Sequence, residues 1–149
     1  MRNIKFRGKT TKDRWVYGSL VKAEFGLKGM YKEPKSWIIS NAFSNGGWFN
    51  IRARDFVVSE TVGQYTGLKD KNGIDIYEGD IIKISNRLVG AKGGETGIIE
   101  FYANAWCIDF SKYYPKCKEG WTERILGFDN SFFKVIGNIY DNPDLLKQS

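Results

Sequence analysis

Four carboxylates lie close together in the middle of the chain and could in principle bind a metal ion or act as general acid and base. They are Asp70, Asp75, Glu78 and Asp80. A calcium-binding EF-hand loop also begins with closely spaced acids, but its twelfth position supplies a bidentate glutamate. That position here is Ile81. Because Asp and Asn side chains bond their own backbone in tight turns, the pattern favours turns over a metal or acid–base site.

A glycine-rich stretch, residues 90–96, has some likeness to a phosphate-binding loop. Its sequence is Gly-Ala-Lys-Gly-Gly-Glu-Thr, which lacks the Gly-Lys-Ser/Thr ending of such loops and the helix that would follow. The pattern therefore predicts a mobile loop over residues 85–95 between two strands, and no bound cofactor.

The chain has no histidine, which removes the commonest general base and the usual nitrogen ligand of zinc and iron. Its two cysteines, Cys107 and Cys117, form neither a Cys-x-x-Cys pair nor a disulfide framework, so they are predicted to be buried structural thiols. We therefore expect no catalytic residue, no metal ligand and no enzymatic activity.

Positive charge is concentrated in the N-terminal part of the chain. Residues 1–60 carry 12 Lys and Arg against 5 acids, whereas residues 61–149 carry 11 against 12. The cations alternate with aromatic residues, a combination that can neutralise phosphates and stack on unpaired bases. The candidate nucleic-acid contacts are Arg7, Arg14, Arg52 and Arg54. Lysines on strands also protect sheet edges and tryptophans also fill cores, so a purely structural role stays open.

Two of these arginines flank a polar turn. The segments Ile4–Arg7 and Arg14–Val21 both alternate in the manner of strands, which predicts an opening hairpin. Arg7 and Arg14 are expected to point outward together, with Phe6 and Trp15 turned towards a core.

The rest of the chain reads as a series of short strands separated by glycine-bearing turns. Asn72-Gly73 is a strong hairpin signal because both residue types tolerate positive φ. Pro143 after Asn142 predicts a short C-terminal helical turn. The fold class is therefore mainly β, with a basic N-terminal β subdomain over 1–60 and a second subdomain over 61–149. No segment reads as a signal peptide or membrane span, so we expect a cytoplasmic protein.

Four segments together are similar to one protein family. They are Ile4–Arg7 with Trp15–Gly18, then Thr61–Gly73, Tyr77–Ile82 and Val135–Pro143. In this order they resemble the YopX family of bacteriophage and prophage proteins. The resemblance implies an SH3-like small barrel in the C-terminal part, a gene carried on phage or prophage DNA, and self-assembly into a homo-oligomer. It implies no activity and no site residue.

The sequence thus predicts a phage-encoded accessory module that binds a macromolecule, either nucleic acid or a bacterial host protein. A self-assembling protein without nucleic-acid contact is the alternative. The two differ in salt dependence, because phosphate-driven binding weakens steeply as salt rises.

Overall fold

A computed structural model describes residues 4–23, 35–39, 54–85, 94–110, 122–124 and 130–147. The predictions for loop residues 86–93, for Cys117 and for Arg52 lie outside this described part. The chain divides into two compact units, Met1–Tyr65 and Thr66–Ser149. Within the described residues the pairings with a defined register are all antiparallel, which confirms the predicted mainly β class.

The first unit is one curled antiparallel sheet. Its strands are β1 (Phe6–Lys9), β2 (Trp15–Ala23), β3 (Lys35–Ile39), β4 (Arg54–Val57) and the start of β5 (Gly63–Lys69), with a 3₁₀ turn at Ser59–Thr61. The strands pair in the order β4-β3-β2-β1-β5. A single bridge between Thr10 and Val57 connects the end of β1 to the end of β4.

The predicted opening hairpin is confirmed. Its turn closes through a hydrogen bond from the Thr10 amide to the Arg14 carbonyl, with Asp13 at positive φ. The register sets Arg7 opposite Tyr17 and Lys9 opposite Trp15. Because side chains alternate between the faces of a strand, these residues share one face, and Val16 is turned to the other.

The opposite face carries the core of the first unit. Val16, Ile38 and Val57 are buried there, and Phe6, Leu20 and Val62 pack against them. Gly8 is needed at this point, since a Cβ on it would lie 2.9 Å from the Cβ of Val57. The sheet therefore has an apolar inner face, and its outer face combines buried residues such as Arg7 and Trp37 with exposed ones such as Tyr17 and Phe56.

The second unit contains the rest of β5, paired with β6 (Asp75–Tyr77), and a five-stranded sheet. The sheet order is β10-β9-β8-β7-β11, and its strands are β7 (Asp80–Ile84), β8 (Thr96–Tyr102), β9 (Ala105–Asp109), β10 (Thr122–Arg124) and β11 (Phe133–Asn138). Isoleucines and aromatics fill its core, from Ile76 and Ile82 to Trp106 and Phe133. Cys107 is buried as predicted.

The SH3-like barrel expected in the C-terminal part is not confirmed, because the described strands form an open sheet and no closed barrel. The reason lies at the outer edge of β11. The Lys71 amide bonds the Phe133 carbonyl there, and the Val135 amide bonds the Asp70 carboxylate. A turn therefore occupies the edge that a further strand would need. The C-terminal helical turn is present as a 3₁₀ turn at Pro143–Leu146.

The turn interpretation of the central carboxylates is confirmed at Asp70. Its Oδ1 accepts hydrogen bonds from the amides of Asn72, at 2.8 Å, and of Ile74, at 3.0 Å. Asp80 acts in the same way on the Tyr77 amide, at 2.8 Å. Both side chains are buried, so these carboxylates hold backbone in place instead of facing a substrate.

Replacing Gly73 by valine should lower the free energy of unfolding by about 1 kcal/mol or more. Gly73 has a φ of +79°, and no atom outside its chain neighbours lies within 4 Å of an added Cβ. The cost is thus one of backbone conformation alone, and Gly73→Asn should lose much less because asparagine tolerates positive φ. Thermal and urea unfolding measure both; equal losses for the two variants would contradict this account.

Candidate nucleic-acid interface

The outer face of the first sheet brings cations and aromatic rings together. Strand alternation and register place the members on this face, which we call the cation–aromatic face. Its members are Lys5, Arg7, Lys9, Trp15, Tyr17, Lys35, Trp37, Phe56 and Tyr65. They come from five successive stretches of chain, so only the folded sheet assembles them.

Three of the cations lie over aromatic rings. The Lys5 Nζ is 4.4 Å from the centroid of the Tyr65 ring, and the Arg7 Cζ is 4.9 Å from that of Trp15. The Lys35 Nζ is 5.6 Å from the centroid of Phe56. Cations within about 6 Å of a ring centroid are attracted by the quadrupole of the ring. The contacts therefore hold positive charge directly beside aromatic surface.

The aromatic residues differ in exposure. Tyr17 on β2 and Phe56 on β4 are each 51% exposed, whereas Trp37 and Tyr65 are buried. Phe56 packs edge-on against Trp37, with ring centroids 4.5 Å apart and an interplanar angle of 66°. The buried tryptophan thus fixes the position of a ring that solvent can reach.

Arg7 does not lie where the sequence analysis expected it. It is only 6% exposed, so the expectation that Arg7 and Arg14 point outward together is wrong. Arg7 lies between Tyr17 of β2 and Gly63 of β5, and the Trp15 ring covers one side of its guanidinium group. A direct phosphate contact by Arg7 would require this arrangement to open.

The other predicted contacts are separated from Arg7. The side chain of Arg14 is 66% exposed, and its Nη2 lies 2.9 Å from the Oδ1 of Asp55. Arg54 begins β4 and pairs through its backbone with Ile39, and Arg52 lies outside the described residues. A nucleic-acid role for these three arginines stays a prediction.

The sequence analysis did not name several members of the face, among them Lys35, Phe56 and Tyr65. The signal for Phe56 is present in the sequence, because it follows Arg54 at the period of two that marks one face of a strand. Lys35 and Tyr65 are harder to recognise from the sequence. Each is linked to the face by a contact with a residue from another part of the chain, Phe56 for Lys35 and Lys5 for Tyr65.

The second unit carries negative charge on its sheet. Glu100 of β8 and Asp109 of β9 are diagonal neighbours, because Ile98 pairs with Asp109. Partial burial raises the pKa of the Glu100 carboxyl, and the charges of Asp109 and Glu78 raise it further. The described residues contain no group of three or more His, Cys, Asp or Glu that could hold a metal ion.

Comparison with known proteins places this architecture in a family. The family model described as YopX protein matches residues 5–147, nearly the whole chain. The chain belongs to the YopX family. A YopX family assignment agrees with the four segments singled out in the sequence, which all lie within the matched range apart from Ile4. No curated protein matches the chain.

One solved structure is similar to this YopX family member throughout. It is the crystal structure of protein EF1440 from Enterococcus faecalis, with a TM-score of 0.53 and 20% sequence identity, covering 98% of this chain and 99% of that one. At that identity the likeness concerns the fold alone. Within the described segments there is no helix with the length and apolar character needed to cross a membrane.

Proposed function

We propose that this protein is a phage- or prophage-encoded, non-enzymatic binding module whose first unit binds nucleic acid through the cation–aromatic face. One observation carries the proposal: a single sheet face holds cations beside aromatic rings, with Tyr17 and Phe56 half exposed. The phage origin rests on the family resemblance, and the genes that flank the coding sequence test it.

The charge distribution also supports a nucleic-acid site on the first unit. All 12 Lys and Arg and all 5 acids counted above for residues 1–60 belong to the first unit, and residues 61–65 add no charge. A net charge of +7 attracts a polyanion at long range and speeds its association. Lys35 is exposed and Lys5 is half-buried, so both ammonium groups are near enough to the surface to neutralise a phosphate.

The structural role of two buried acids in the second unit is also consistent with a binding function. Asp70 and Asp80 are buried as acceptors for backbone amides. Catalysis by a carboxylate needs the group within hydrogen-bond reach of a substrate proton, and these two are committed to the fold. The cationic and aromatic side chains of the first unit can instead bind a polyanion.

Binding of a short nucleic acid should weaken steeply with salt. The plot of log binding constant against log salt concentration should have a slope of several units, because each neutralised phosphate releases about 0.7 counterion on a single strand. Changing Lys5 and Lys35 together to glutamine should flatten the slope by about one unit and lower the affinity about tenfold. Fluorescence anisotropy at several salt concentrations measures both quantities.

The second unit offers a matched control. Lys83 and Lys134 are exposed and face each other across β7 and β11, and changing both to glutamine alters the net charge equally. This control should leave affinity and slope nearly unchanged. Absence of binding by the wild type even at low salt would overturn the proposal and favour a protein partner. Light scattering would then show whether that partner is a second copy.

A further inference from the structure

We infer that the nucleic acid bound by the first unit is single-stranded, and that its bases stack on two separate rings, Tyr17 and Phe56. This inference rests on the proposed function and specifies its ligand. It follows from where the two exposed rings lie on the sheet and from what holds them.

The two rings are separate positions on one surface. Phe56 pairs with Trp37, and Trp37 pairs with Val21, so Phe56 is level with Val21 and two strands away from β2. Tyr17 lies four residues before Val21 on β2. From the rise along a strand and the spacing between strands, the two positions are roughly 17 Å apart when measured along the curled sheet. One base cannot contact both rings, whereas an extended strand of several nucleotides can.

Each ring is held beside a cation on the same face. Tyr17 is the direct cross-strand partner of Arg7. Phe56 has the Lys35 ammonium 5.6 Å from its centroid and the Trp37 ring against its side. A base that stacks on Phe56 brings its phosphate near the Lys35 ammonium group, and a ring already fixed by its neighbours loses little freedom on binding. Aromatic side chains on an exposed sheet face hold unpaired bases in this way.

A duplex would gain little from the same surface. The faces of its bases are already covered by neighbouring bases, so exposed aromatic rings have nothing to stack on. Double-stranded DNA is bound mainly through cations that reach its phosphates, and the Lys5 and Lys35 ammonium groups would serve a single strand equally. The exposed rings are therefore useful only for unpaired bases.

Changing Tyr17 and Phe56 to leucine tests the inference. Leucine keeps an apolar side chain but removes the ring, so affinity for a twelve-residue oligothymidine should fall at least about fivefold for each variant and at least about twentyfold for the pair. The salt slope should stay as in the wild type, because no charge changes. Tyr17→Phe and Phe56→Tyr keep a ring and should bind within about twofold of the wild type.

The second unit again supplies a control of the same kind. Phe101 and Tyr102 are 55% and 57% exposed, and changing both to leucine should leave binding unchanged. Far-UV circular dichroism establishes that each variant is folded. If the leucine variants do not fold, ultraviolet cross-linking of the wild type to the oligonucleotide decides, since adducts should map to the peptides that contain Tyr17 and Phe56.

The outcomes separate the inference from the function on which it rests. Tighter binding of the single strand than of a duplex of equal length, lost in the leucine variants, supports the inference. Equal binding of single strand and duplex that the leucine variants retain, or adducts only on other peptides, overturns it and leaves nucleic-acid binding standing. Binding of neither nucleic acid overturns both.

Discussion

Replacing Asp70 by alanine should lower the free energy of unfolding of the second unit by about 3 kcal/mol or more. The carboxylate accepts three backbone amide bonds, from Asn72 and Ile74 at Oδ1 and from Val135 at Oδ2, at 2.8, 3.0 and 3.0 Å. The side chain is only 3% exposed, so water cannot easily replace it. Each donor left unsatisfied in a buried place costs about 1–3 kcal/mol. Urea unfolding followed by circular dichroism measures the loss.

Two further variants make this prediction specific. Asp70→Asn keeps one acceptor oxygen and should recover part of the loss. Asp75 in the same hairpin pairs with Lys69 near the surface, at 2.7 Å, and Asp75→Ala should cost less than about 1 kcal/mol. Should Asp70→Ala prove no more costly than Asp75→Ala, the carboxylate would not be the acceptor described here.

Replacing Gly97 by alanine should destabilise the second unit by about 3 kcal/mol, the upper part of the range for an overpacked core. The added Cβ would overlap the Cγ2 of Ile108 and lie 3.0 Å from the Cε1 of Phe110. Both neighbours are buried members of the core, so they have little room to move. Thermal unfolding should show a lowered midpoint.

A double-mutant cycle identifies the clash as the cause. Ile108→Ala removes the Cγ2 atom at a cost of about 2–5 kcal/mol, and Gly97→Ala should cost clearly less in that background. If the two losses simply add, the methyl group introduced at position 97 does not meet Ile108, and the packing described for β8 and β9 is wrong.

The features that could be predicted from the sequence are those that neighbouring residues determine. Asn72-Gly73 specifies its turn because glycine accepts the required φ and the Asp70 carboxylate lies within reach. The opening hairpin follows from two alternating segments joined by a short turn. The cations and aromatics of the candidate site were recognisable for the same reason, since alternation alone assigns residues to a face.

The features that could not be predicted depend on residues far apart in the chain. Arg7 is covered in part by the ring of Trp15 on the neighbouring strand, and alternation within one strand gives no information about such a cross-strand contact. The open sheet of the second unit was missed because a turn residue, Asp70, bonds an amide 65 positions later. No local pattern contains that information.

The place of β11 beside β7 also has a consequence during protein synthesis. β7 ends at Ile84 and β11 begins at Phe133, so residues 85–132 must be translated before the two strands can meet. At roughly 5–20 residues per second this takes about 2–10 s. During that interval one side of an isoleucine-rich strand in the nascent chain has no neighbour, and unpaired strand edges of this kind are prone to aggregate. The ribosome-bound intermediate is therefore the state of this protein most in need of a chaperone.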